Sequence, residues 1–252
     1  MTFINQHSFR CLLGRQSRNV QLYDRLFTWQ VGKKNHFTTG SDLTLEDLPI
    51  LTALEKSNFH YLSESNMLFL KQHFEVDRVK NRSVVLGIKD FSLVGGEMKS
   101  LRHAVNRCRS QNLELCSDYK KIDDVKKMID EWSTLYTDSY FRDHSGKNLY
   151  FYQNNFHAQC INLFVYSGPD LVAFGTLSPC QDGKASYVIG KSLFKRFYGL
   201  SEYTDVMLYR KGIEAGIESV NMGQASKGLL FYKSKFPNSS ELIHYDGNIK
   251  TK

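Results

Sequence analysis

Several groups of residues in this chain have the type and spacing to do chemistry. Asp205 follows Glu202 and Tyr203 at the start of a long helical stretch, EYTDVMLYRKGIEAG. A carboxylate there can take a proton from an attacking amine as a general base. It can equally be an N-terminal acid that favours the helix macrodipole. Asn221 and Gly223 end the short run SVNMG. A strand end of this kind often lines a cleft, and glycine lets a ligand approach the backbone closely, but a plain strand-to-helix turn has the same residues. With Tyr203 they are candidate cleft-lining positions. Lys99, Arg102, His103 and Arg109 fall on one face of EMKSLRHAVNRCRSQNLEL, opposite Leu101, Val105 and Cys108. Cations at helical spacing can grip nucleic-acid phosphates, or simply make a solvated face. Near the end of the chain, FYKSKF carries Lys233 and Lys235. The helix closes the fold after SVNMG, so Lys233 can reach the cleft, or the stretch is a plain amphipathic helix with Leu229, Leu230 and Phe236 inward and its lysines outward.

These residues need elements to position them. INLFVY (161–166), the turn SGPD, LVAFGTLSP (171–179), the turn CQDGK and ASYVIG (185–190) read as an antiparallel meander. The helix of Asp205 follows, with Gly216 as its C-terminal stop, then a strand over 219–223 and a helix over 226–236. KKIDDVKKMIDEWSTLY (120–136) shows an apolar helical stripe of Ile122, Val125, Ile129, Trp132 and Tyr136. Further upstream, TLEDLPILTALEKS (44–57) has the Thr/Glu start of a capping box, and SNMLFLKQHF (65–74) suits another helix. SVVLGIKDFSLV (83–94) is rich in β-branched residues and reads as one or two strands ending at Gly95-Gly96. The remaining N-terminal residues give no clear pattern. Helix, three antiparallel strands, helix, strand, helix is the order of an α/β (α+β) mixed sheet flanked by helices.

Composition narrows the classes. A chain of 252 residues with 41% hydrophobic content buries a real core and is not disordered. Thirty-three Lys and Arg against 26 Asp and Glu give +7, which favours a polyanionic partner. No stretch approaches the ~20 apolar residues of a membrane-spanning helix. The opening MTFINQHSFRCLLGRQSR lacks the apolar centre of an export signal. Cys11, Cys108, Cys116, Cys160 and Cys180 are scattered, without C-x-x-C spacing, which predicts reduced thiols in a cytoplasm. The histidines form no H-x-x-H pattern, and neither a Walker loop nor a G-x-S-x-G elbow occurs, so no metal site is expected.

Four stretches, in order, resemble the soluble C-terminal domain of bacterial phosphatidylglycerol lysyltransferases and, more distantly, the Fem-type peptidoglycan aminoacyltransferases. They are FSLVGGEMKSLRHAVNRCRSQNLEL (91–115), LVAFGTL (171–177), YTDVMLYRKGIEAGIESVNMG (203–223) and GLLFYKSKFP (228–237). The resemblance implies a GNAT-like mixed sheet, with two GNAT-like folds in tandem and the first one shortened. It divides the chain into 1–115, ending in the basic helix, and 116–252, the acyltransferase domain. It places Lys233 near the substrate channel, where an ammonium can hold a phosphate or a developing oxyanion. Asp205 is then the second catalytic candidate. Lys99, Arg102, Arg109, Lys191, Arg196 and Gly199 become the donor- or phosphate-binding candidates. KRFYGLSEY is similar to the Arg-x-x-Gly-x-Gly/Ala loop by which GNAT enzymes cradle coenzyme A, with Arg196, Gly199 and Ser201 in register. The lysyltransferases carry an Asp and an Arg after the Ser-Tyr pair aligned with Ser186-Tyr187; Val188 and Lys191 stand there in this chain.

The function implied is transfer of an aminoacyl group from aminoacyl-tRNA, a co-substrate and not a tightly bound cofactor, to an amine or hydroxyl of a lipid, peptide or small metabolite. An acyl-CoA-dependent N-acyltransferase and a non-catalytic nucleic-acid-binding protein are the alternatives. The expected location is cytoplasmic, with peripheral membrane contact left open.

Overall fold

The computed structural model describes residues 17–23, 26–39, 41–54, 56–135, 146, 148–180, 182–224 and 227–252. Cys11, Tyr136 and the opening segment lie outside these residues. Eleven strands form one sheet: β1 (Ser17–Leu22), β2 (Leu26–Val31), β3 (Lys34–Thr39), β4 (Asn58–Leu62), β5 (Phe74–Gly87), β6 (Glu114–Cys116), β7 (Ile161–Ser167), β8 (Asp170–Pro179), β9 (Lys184–Ser192), β10 (Ser219–Gln224) and β11 (Ser239–Thr251). Their spatial order is β1-β2-β3-β4-β11-β5-β10-β9-β8-β7-β6. The β3–β4 and β9–β10 pairs are parallel. The helices among the described residues include α1 (Leu48–Ala53), α2 (Glu64–His73), α3 (Lys99–Arg109), α4 (Ile122–Thr134), α5 (Leu200–Glu214) and α6 (Lys227–Lys233), and residues 148–153 are helical as well. Among the described residues, no helix is long and apolar enough to cross a membrane.

The meander read from the sequence is present as β7, β8 and β9. Its strands are apolar on both faces because both faces are covered. Leu163, Val165, Val172 and Leu177 share a core with Leu200, Val206 and Leu208 of α5. Phe164, Tyr166, Leu171 and Phe174 share a second core with Val125, Ile129 and Trp132 of α4. Gly175 lets α5 lie close to the sheet, since a Cβ there would stand 2.8 Å from the Leu208 side chain. Gly216, at φ +80°, terminates α5 as expected.

The first half corrects two expectations. The strand read over 83–94 begins earlier, at Phe74, and ends at Gly87. Residues beyond it form a loop that Arg102 of α3 holds by donating to the Leu93 carbonyl at 2.5 Å and the Gly95 carbonyl at 3.1 Å. In the 3-10 turn Leu45–Asp47 that leads into α1, the carboxylate that reaches back to the Thr44 N–H is Asp47, at 2.8 Å, and not Glu46. The long β11 inserts between β4 and β5, pairing with β5 from Ser239 to Thr251 without a shift of register. A third core, around Leu26, Phe37, Leu51, Phe59, Met67 and Leu70, lies under α1 and α2.

Candidate functional site

β9 and β10 run parallel, joined by α5, yet pair only at Lys184–Ser219, Ala185–Val220 and Ser186–Asn221. Beyond those residues lies a cleft of about 680 Å³, lined from β9, α5, the end of β10, α6 and Trp132 of α4. Parallel strands that separate in this way leave backbone and side chains pointing into a gap that a ligand can fill.

Asp205 is buried in the wall of this cleft, 5% exposed. The Tyr187 hydroxyl donates to its Oδ1 at 2.5 Å, and the Tyr232 hydroxyl to its Oδ2 at 2.7 Å. Burial pushes its carboxyl up to about 6, although both tyrosine hydrogen bonds and nearby Lys233 pull the other way. Burial, reinforced by the Asp205 charge, raises both phenols well above their ordinary value, so each stays a donor. The carboxylate is therefore desolvated, oriented, and poised to exchange a proton near neutrality.

Lys233 is also buried, at 4% exposure, which decides against a plain amphipathic helix with its lysines outward. Its ammonium donates to the carbonyls of Met222, at 2.5 Å, and Gly223, at 2.9 Å, where β10 ends. Leu229 and Leu230, expected inward, are exposed. Burial lowers the Lys233 pKa to about 8, with Asp205 opposing the shift. Lys235 lies on the cleft rim and pairs with Glu202 at 2.9 Å. The ammonium of Lys191 sits 3.6 Å from the centroid of the Trp132 ring, and burial lowers its pKa to about 8. Among the described residues, no group of three or more His, Cys, Asp or Glu side chains is placed to hold a metal ion.

The family whose members are described as phosphatidylglycerol lysyltransferase, C-terminal, matches residues 55–236 of this sequence, most of its length. The chain belongs to that family. No curated protein sequence matches it. Among solved structures it is similar to a C-terminal domain assigned to a lysylphosphatidylglycerol synthetase of Agrobacterium fabrum. That pair has a TM-score of 0.70 and 14% identity, over 97% of this chain and 88% of the other. It is also similar to FemX, with a TM-score of 0.59 and 10% identity over 96% and 90% of the two chains. A GCN5-related N-acetyltransferase from Kribbella flavida follows, with a TM-score of 0.53 and 9% identity over 97% and 96%. At these identities the likeness is one of fold, and the fold is GNAT-like.

Within this lysyltransferase-family domain, the cleft brings together Asp205, Lys233, Lys191 and Gly199, while the carbonyl of Gly223 receives Lys233. The other candidates lie elsewhere. Tyr203 packs in the core with Leu101, Val105 and Cys108 of α3 and does not line the cleft. It is two positions from Asp205 on α5, which turns it to another face of the helix. The Asn221 side chain accepts from the Gly223 N–H at 2.8 Å and shapes the turn instead of the cleft wall. Arg196 pairs with Glu131 at 2.7 Å on the neighbouring surface. Gly199, at φ +84°, starts α5 where α3 crosses it; a Cβ there would stand 2.8 Å from the Ala104 carbonyl oxygen. Lys99, His103 and Arg109 are exposed on α3, outside the cleft, and Arg102 is engaged by the loop carbonyls. Tyr187, Tyr232 and Trp132 complete the site; the sequence marks Tyr187 only through the aligned Ser186-Tyr187 pair, Trp132 only as part of an apolar stripe, and Tyr232 only as the neighbour of Lys233 in FYKSKF.

Proposed function

We propose that the protein is an aminoacyltransferase that moves an aminoacyl group from aminoacyl-tRNA to the amine or hydroxyl of an acceptor, working in the cytoplasm. The observation that carries this reading is the buried Asp205 carboxylate, held by Tyr187 and Tyr232 close to the Lys233 charge in the cleft where β9 and β10 part. Membership of the lysyltransferase family supports the reaction class. In this mechanism the acceptor nitrogen or oxygen attacks the ester carbonyl carbon. Asp205 takes the proton that the attacking atom loses, and the Lys233 charge offsets the negative charge on the carbonyl oxygen. The carbon–oxygen bond to the tRNA ribose then breaks, and the proton passes to the departing ribose oxygen.

Phe194, Tyr198 and Leu229 line the cleft with substantially exposed side chains. An apolar mouth of this kind supports an acceptor with a lipid portion over a small polar metabolite. The exposed cations of α3 remain the proposed contact for the tRNA phosphates, with Lys99 and Arg109 the available members. Three antiparallel strands followed by a parallel one occur twice in the sheet, at β1–β4 and at β7–β10, which supports two GNAT-like folds in tandem.

The test is to incubate the purified protein with a panel of radiolabelled aminoacyl-tRNAs and mixed phospholipid vesicles, and to extract the lipid. Labelled lipid that forms with the native protein and is lost in Asp205→Asn supports the reading. Label transfer only from acyl-CoA would establish the coenzyme A alternative, and tRNA binding with no transfer to any acceptor would establish the non-catalytic one.

A further inference from the structure

Both carboxylates that line the cleft are already engaged. Asp205 receives two tyrosine hydroxyls, and Glu202 holds Lys235 at 2.9 Å. Three lysines face these two acids across the lining. Lys233 is satisfied by the end of β10 and Lys235 by Glu202, so the cation with the least compensation is Lys191. Its ammonium lies against the face of Trp132, burial lowers its pKa, and among the described residues no carboxylate offsets that shift. A ring face returns only part of the hydration that a half-buried ammonium gives up. The remainder is recovered when an anion enters.

A second feature lies alongside. The hydroxyls of Ser192 and Ser201 are 2.6 Å apart and both line the cleft. One hydroxyl proton is used between them, which leaves the other for a ligand oxygen. The Lys191 ammonium lies on the α4 side of β9 and the serine hydroxyls on its α5 side, so they are separate donors to an anion in the cleft, and neither offers much to a cation.

We infer that Lys191, backed by Trp132, recognises an anionic group of the substrate, a carboxylate or a phosphate, and that the cleft disfavours a substrate bearing a second ammonium there. For the donor, this inference rests on the aminoacyltransferase reading: it selects aminoacyl groups with neutral or acidic side chains over lysyl. The anion binding itself stands without that reading.

Tryptophan fluorescence tests the binding. The chain has two tryptophans, Trp29 and Trp132, and Trp132→Phe identifies which one responds. Inorganic phosphate, glutarate and the diamine cadaverine are titrated separately at constant ionic strength. A saturable emission change with phosphate or glutarate, absent with cadaverine, is expected, and whichever anion saturates names the source. Lys191→Met is expected to weaken binding at least tenfold, while Lys191→Arg keeps it within a few-fold. Should Lys191→Met fold poorly, Lys191→Gln serves in its place. No saturable change with either anion, or equal affinity in native and Lys191→Met proteins, overturns the inference. In the transfer assay, native protein should prefer alanyl- or glutamyl-tRNA to lysyl-tRNA, and Lys191→Glu should shift that preference towards lysyl. A native preference for lysyl-tRNA overturns the donor selectivity. Absence of transfer from every donor defeats the aminoacyltransferase reading instead, and the fluorescence titration still decides the anion site.

Discussion

The phenol of Tyr187 occupies the space that a side chain at Gly190 would need: a Cβ there would stand 1.9 Å from the Tyr187 oxygen. The cause is an irregularity in β9. Thr176 of β8 pairs with Ile189 while Leu177 pairs with Tyr187, so Val188 is an extra residue. A bulge of this kind re-aims the side chains beside it. Here it brings the Tyr187 hydroxyl over Gly190 and onto Asp205.

Gly190→Ala should therefore displace Tyr187 and loosen its hold on Asp205. Overpacking of this sort costs roughly 1–3 kcal/mol. The melting temperature should fall, and transfer activity should fall further than the melting temperature explains. In a Tyr187→Ala background the same substitution should cost much less, because the clash is gone. Equal costs in the two backgrounds would remove the steric link between these residues.

Asp205 makes a prediction about pH. Its carboxyl is raised from 3.8 to about 6, so between those values the folded chain holds a proton that the unfolded chain has released. That contribution to stability is full below about pH 3.8 and is lost as pH rises towards 6, amounting to about 3 kcal/mol across the window. Asp205→Asn should abolish this slope when the two proteins are compared by urea unfolding at a series of pH values. If the ionised carboxylate is the base, kcat/KM should rise with an apparent pKa near 6 and fall near 8 as Lys233 loses its proton.

Lys233→Met and Lys235→Met should behave differently in stability as well as in activity. The first leaves the Met222 and Gly223 carbonyls without their ammonium donor, at a cost of roughly 1–3 kcal/mol. The second loses a partly exposed ion pair with Glu202, worth about 0–1 kcal/mol. Thermal unfolding separates the two, and turnover per folded molecule should drop steeply only for Lys233→Met.

On α3, Lys99→Ala with Arg109→Ala should weaken tRNA binding and flatten its salt dependence without moving the melting temperature. Arg102→Met should do the reverse, exposing the 88–98 loop to limited proteolysis because the Leu93 and Gly95 carbonyls lose their donor. An unchanged salt slope in the double variant would reduce the basic face to solvated surface.

The parts legible in the sequence are those that local pattern encodes. β7, β8 and β9 are apolar runs divided by turn residues, α4 carries its core-facing stripe in the chain itself, and α5, buried on several faces, is marked by its Gly216 stop. β5 was legible only from Ser83 onward. Its first half, EVDRVKNR, is mostly exposed, and the backbone ladder to β11 holds it where side-chain burial does not. The burial of Lys233 was hidden for a related reason. A lysine on a short helix reads as solvated until the end of β10 supplies two carbonyls for it. The grip of Tyr187 and Tyr232 on Asp205 joins β9, α6 and α5, and no local spacing encodes a meeting of three separate elements.

The place of β11 between β4 and β5 has a consequence for how the chain reaches this state. Both neighbours are made well before Ser239–Thr251 leaves the ribosome, so each waits with an open hydrogen-bonding edge. Contacts of such long sequence separation form slowly, and unpaired edges are templates for mispairing with other chains. The nascent protein is thus most exposed to aggregation between the synthesis of β5 and that of β11, an interval in which a chaperone that covers strand edges would raise the yield of folded molecules.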